Sequence, residues 1–152
     1  MSAIVVGVDG SEGSIRALRF ALEEARVRDV ELRVVHAWHI PPAIYGSGWV
    51  PTGVDLDEYR KLAEASLARS LADAGADDAG LAVTPVLREG EPVDVLCAEA
   101  AHADLLVVGS RGLGGFRGLL LGSVSQQVVH HSPCPVVVVP GKDRDGDAGD
   151  EE

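Results

Sequence analysis

The chain has 152 residues, 46% of them apolar, and a formal net charge of −11, enough for one domain with a sizeable core and too little for a second catalytic domain. Six acids against Lys142 and Arg144 in residues 142–152 account for −4 of that charge and leave −7 on the body, which excludes a non-specific nucleic-acid binder, because neutralising phosphates takes clustered Lys and Arg. Cys97 and Cys134 lie apart, without a CxxC or Cys/His cluster, so neither a disulfide framework nor a structural zinc site is expected. No basic leader precedes Asp9, and no apolar run approaches the roughly 20 residues of a bilayer span, so a cytoplasmic protein without a membrane segment is expected.

In chain order, residues 3–8 (AIVVGV) form a short β-branched apolar run, the pattern of a strand covered on both faces. After Asp9-Gly10, the spacing of Ile15, Leu18, Leu22 and Ala25 predicts a helix that Ser11 or Glu12 can cap. Residues 31–39 (ELRVVHAWH) read as a second strand and 40–54 as a Pro/Gly-rich loop, whose Tyr45 and Trp49 either cover a ligand or pack onto the domain. Residues 56–75 place Tyr59, Ala63, Leu67, Leu71 and Ala74 on one helical face. A third strand over 81–88 contains Pro85, which favours a sheet edge. Pro92 opens a helix through Val93, Leu96, Cys97 and Ala100. Residues 104–108 and 135–139 are the fourth and fifth strands, with a helix over 122–131 between them.

Strands alternating with helices imply right-handed crossovers and a five-stranded parallel sheet with helices on both faces, a three-layer α/β sandwich. Ligands of such sheets sit at the strand carboxyl ends where the order reverses. The first and fourth strands end in unusual chemistry, Asp9-Gly10 and Gly109-Ser110. As neighbours they give the order 3-2-1-4-5, with both ends lining one crevice.

Six glycines fall between 109 and 122, after a strand and before a helix, the context in which backbone approaches phosphate closely. The amides of Gly122 and Ser123 at the helix start are expected to face an anion, with Arg111 and Arg117 adding charge. No lysine lies between 109 and 123, which excludes a Walker A loop, and the position of the glycines after the fourth strand argues against a dehydrogenase fingerprint. His36 and His39 point to opposite faces of a strand, and His130 and His131 diverge around a helix, so neither pair forms a chelate. Ser110, Ser123 and Ser125 have no recognisable base, so no nucleophile stands out.

Gly109-x-x-Gly112, nine residues, then Gly122-Ser123 resembles the GxxG, nine-residue spacer, G[ST] motif of the ATP-binding universal stress proteins. VGVDGS after the first strand, VVHAWH at the second and HHSPCPVVVV at the end extend the resemblance over almost the whole chain. It implies one flavodoxin- or Rossmann-like domain over residues 1–140, followed by an acidic tail, 141–152, expected to be disordered and to serve solubility. It also implies bound ATP: Gly7 and Asp9 at the nucleoside and Ala37 offering backbone groups to adenine. Gly109, Ser110, Arg111, Gly112, Leu113, Gly114, Gly115, Gly122, Ser123 and Val124 would surround the phosphates. Mg²⁺ can accompany ATP through phosphate oxygens and water, with Asp9 the nearby carboxylate. The implied role is nucleotide sensing in a stress response, the alternative a slow ATPase or self-phosphorylating protein. Val136, Val137, Val138 and Val139 are expected at a sheet edge, too apolar to stay bare; a homodimer pairing these strands, common in the family, or a covering loop or tail would satisfy them.

Overall fold

The computed structural model describes residues 2–39, 56–111 and 121–141. Five parallel strands run β1 (Ala3–Gly7), β2 (Glu31–Trp38), β3 (Val83–Glu89), β4 (Leu105–Gly109) and β5 (Val136–Val139), in the order β3-β2-β1-β4-β5. Among the described residues four α-helices connect or flank them: α1 (Glu12–Arg28), α2 (Leu56–Asp73), α3 (Pro92–Ala100) and α4 (Ser123–His131), with a short 3-10 turn at Ala76–Asp78. The expected elements and sheet order are all present, with ends moved by one or two residues. Ile4 pairs with Leu32 on one side and Leu105 on the other, so β1 is the central strand. Pro85 lies on β3 at one edge, where a missing amide removes no ladder bond on the open side. The four half-buried valines of β5 form the other edge.

Because side chains alternate along a strand, each strand feeds two cores. Ile4, Val6, Leu32, Val34, Leu105 and Val107 pack against Ala17, Leu18, Ala21, Leu22 and Ala25 of α1 and Leu67 of α2. Val5, Val35, Leu106 and Val108 face the opposite way, onto Val95, Leu96 and Ala100 of α3 and Val128 of α4. The small residues of α1 let its axis lie close to the sheet, and the apolar stripe seen in its sequence is the stripe it buries.

The packing of α3 departs from its sequence pattern. Its buried side is Val95, Leu96, Glu99 and Ala100, while Val93 and Cys97 are only half-buried. An acid enters this core because two cations meet it. Arg33 Nη2 of β2 lies 2.9 Å from Glu99 Oε2, and Arg88 of β3 pairs with Oε1, leaving the carboxylate side chain 5% exposed. Arg33 and Arg88 project from neighbouring strands onto the same face, so one buried carboxylate ties α3 to both.

A buried carboxylate with two cationic partners costs far more to remove than a surface ion pair. Glu99→Ala is expected to lower the unfolding free energy by about 2–3 kcal/mol, less than for a fully buried triad because both arginines keep some water. Urea unfolding of the variant beside the parent checks this; a loss below about 0.5 kcal/mol would place the triad with ordinary surface pairs.

Candidate nucleotide cleft at the strand carboxyl ends

Where β1 and β4 lie side by side, their following segments leave the sheet in opposite directions, α1 to one face and α4 to the other. The gap between them is a cleft of about 330 Å³. Of the expected site residues, Gly7, Asp9, Ala37, Gly109, Arg111, Gly122, Ser123 and Val124 line it. Gly112, Leu113, Gly114 and Gly115 lie outside the described residues, as do Tyr45, Trp49 and Arg117. Ser110 stands behind the wall. It is buried, its amide donates to the Val139 carbonyl, and its carbonyl accepts from both the Gly122 amide and Ser125 Oγ.

That last bond corrects one expectation. The Gly122 amide is spent on Ser110 and does not face an anion. Gly122 is the N-cap of α4 and supplies no side-chain cap. The amides of the first helical residues, Ser123 and Val124 among them, have no intrahelical acceptor, and both residues line the cleft at the positive end of the helix dipole. The α1 start is built the other way: Ser11 caps it, its Oγ accepting from the Ser14 amide at 3.2 Å. Asp9 in turn holds Ser11, its Oδ1 accepting from the Ser11 amide at 2.9 Å and from the Ser11 hydroxyl. Asp9 is thus no helix cap but the anchor of the cap, which fixes its carboxylate at the cleft.

The glycines divide by purpose. A Cβ on Gly109 would lie 2.8 Å from the Gly13 carbonyl oxygen, and one on Gly13 would lie 2.6 Å from that of Arg111. These two positions let the first turn of α1 cross the exit of β4 backbone to backbone, so Gly109 makes room for a helix. Gly13 was not singled out from the sequence, yet a signal exists: glycine in the first turn of a helix costs about 1 kcal/mol relative to alanine and calls for a packing reason. Ser14, Pro92 and Leu96 also line the cleft unforeseen, because they come from segments whose periodicity speaks only of the core.

His36, at the end of β2, is 9% exposed and its Nδ1 has no partner among the described residues. Burial holds its imidazole below the usual range, against the pull of a hydrogen bond with the Val8 backbone and the charge of Asp9. The Cys97 thiol is pushed up by burial, by the Asp94 charge and by Cys134. Both cysteines are free. Among the described residues no group of three or more His, Cys, Asp or Glu forms a metal cluster, and no helix is long and apolar enough to cross a membrane.

The universal stress protein family model matches residues 1–140. A universal stress protein of Mycobacterium tuberculosis is 38% identical over 135 residues, which is 89% of this chain and 44% of the relative. This chain thus spans about half the length of that relative. Among solved structures, a universal stress protein in complex with cAMP is 32% identical, covers 91% of this chain and 96% of its own, and superposes with a TM-score of 0.64. One from Archaeoglobus fulgidus in complex with dAMP is 28% identical, covers 91% and 98%, and has a TM-score of 0.67.

Two outcomes test the local physics. Gly13→Ala is expected to cost about 1–3 kcal/mol through overpacking against the Arg111 carbonyl, a loss visible in thermal unfolding; an unchanged midpoint would show that the crossing relaxes freely. For His36, the unfolded imidazole gains its proton near pH 6.5, whereas the folded one resists it. Its contribution is then complete above pH 6.5 and is lost as pH falls through the lower folded value. The slope of stability against pH below 6.5 should therefore flatten in His36→Gln, by at most about 1.4 kcal/mol per pH unit; parallel curves would contradict it.

Proposed function

Since the chain belongs to the universal stress protein family, we propose that its cleft binds an adenine nucleotide, with ATP as the occupant, and that occupancy rather than rapid turnover is what the protein reports. The observation that carries this reading is the start of α4, without a side-chain cap among the described residues, whose Ser123 and Val124 line the same cleft as Arg111. Among the described lining residues Arg111 is the one cation and Asp9 the one carboxylate. That pairing suits a ligand with an anionic end and a hydroxylated sugar. The phosphates go to Arg111 and the α4 amides, the ribose to Asp9. Adenine goes toward Ala37 over Val35 and Leu96, where backbone groups can meet its edge and apolar side chains its face.

The complexes of two relatives with cAMP and with dAMP support the adenine monophosphate class, and the GxxG, nine-residue, GS spacing supports a longer phosphate chain. Mg²⁺ accompanying ATP would take most of its ligands from phosphate and water and, from the protein, no more than Asp9. The edge valines of β5 remain the surface through which a second copy is proposed to pair, closing an otherwise open ladder.

Titration calorimetry with adenosine, AMP and ATP, each with and without Mg²⁺, is the direct test. Affinity should rise along that series, and Arg111→Gln should weaken ATP about 10-fold while leaving adenosine unchanged. Equal affinity for adenosine and ATP would refute the phosphate assignment, and no nucleotide binding at all would refute the reading. Multiple turnovers of ATP that vanish in Asp9→Asn would make the protein a slow ATPase instead. Asparagine suits this test because it retains the Oδ1 acceptor for Ser11.

A further inference from the structure

Gly7 ends β1, the central strand of the sheet. Glycine in a strand loses more conformational freedom on folding than any other residue and packs nothing, so its presence there calls for a reason. Backbone geometry supplies none: among the described residues the glycines with positive φ are Gly10, Gly75, Gly80 and Gly90. The reason lies across the sheet. Gly7 pairs with Val35 of β2, and Val6 pairs with Val107 of β4, which sets Val108 on the other flank of Gly7. Val35, Gly7 and Val108 thus form one row, a notch between two valines, and all three line the cleft.

Leu96 of α3 fills the notch. A Cβ on Gly7 would lie 2.9 Å from Leu96 Cδ1, 3.0 Å from Cδ2 and 3.5 Å from Cγ. Non-bonded carbons settle at about 3.5–4.0 Å, so one added methyl displaces the tip of the leucine. At Gly13 and Gly109 the added atom would meet backbone; here it meets the end of a flexible side chain, which can turn aside. Leu96 is 4% exposed and belongs to the buried cluster of Val5, Val95 and Ala100. The open space left to it is the cleft that it lines.

We propose that Gly7 is a positioning residue that acts through Leu96: the notch seats the leucine low against the sheet, and the depth so gained is the room in which the base lies. The proposal rests on the reading of this end of the cleft as the base site, and refines the expectation that Gly7 itself meets the nucleoside. Gly7→Ala lifts Leu96 into the place of the base and leaves the phosphate end alone, so adenosine and ATP should lose affinity by the same factor. The Cγ distance also prescribes the remedy. Leu96→Val ends the side chain at its γ carbons, so the pair G7A/L96V moves one carbon from helix to strand at constant volume, the kind of exchange that cores tolerate best.

Two measurements on the full chain decide it. In the first, adenosine and ATP are titrated into the parent, G7A and G7A/L96V at a temperature where each chain is fully folded, so that lost stability does not enter the affinity. G7A should bind both ligands about 10-fold more weakly, and the double variant should return to within about 2-fold of the parent. Unchanged affinity in G7A overturns the proposal and leaves the nucleotide reading intact. A loss that Leu96→Val does not repair overturns it too, because the added methyl would then touch the nucleotide itself. If G7A does not fold, folding restored by Leu96→Val supports the seat, and failure of both chains to fold overturns it.

The second measurement needs no nucleotide. A crystal structure of G7A should show the Leu96 tip turned into the cleft, with β1 and α3 in place. A leucine that keeps its position overturns the seat. A turned tip in a protein whose parent binds neither adenosine nor ATP supports the seat and sinks the nucleotide reading alone.

Discussion

Two stretches of backbone meet at van der Waals distance where the first turn of α1 crosses the end of β4, and neither can carry a side chain there. Gly109 and Gly13 make that crossing. The crossing sets Asp9, leaving β1, opposite Arg111, leaving β4, in one cleft. Had the helix stood off by the thickness of a Cβ, the two ends of the site would belong to separate surfaces. The reversal of strand order at β1 and β4 makes a crevice possible; the glycine crossing determines which groups face each other across it.

The two helix starts at this crevice divide the electrostatic work. The α1 start is capped by Ser11, which takes the Ser14 amide, and is anchored by Asp9, whose carboxylate holds the cap. The α4 start is left without a side-chain cap, so its amides call for an external acceptor. A site with one finished end and one unfinished end has polarity, which is what the proposed nucleotide, charged at one terminus, would require.

The strand order and the nine main elements among the described residues were legible in the sequence because each is written plainly there, strands as short continuous apolar runs and helices as a 3.6-residue period. The lining of the cleft was legible in outline for a different reason: Gly7 and Gly109 end their strands, Asp9 and Arg111 sit just beyond them and Ser123 opens a helix, where apolar pattern stops and other residue types stand out. What escaped was relational. Glu99 looks like a solvated helix acid until Arg33 and Arg88 are seen to arrive from two strands distant in the chain. Gly122 looked like a phosphate amide, but its donor is spent on the Ser110 carbonyl, a partner no spacing announces. Periodicity tells which side of an element is buried; it does not tell which polar groups will meet there.

The Ser110 carbonyl, which receives the Gly122 amide and the Ser125 hydroxyl together, acts as a clasp between the two ends of the segment that joins β4 to α4. The bonds hold Gly122 and Ser125, at the start of α4, against the residue that follows β4. The clasp thus ties the start of α4 to the end of β4 directly, so the position of the helix start follows the central strands of the sheet.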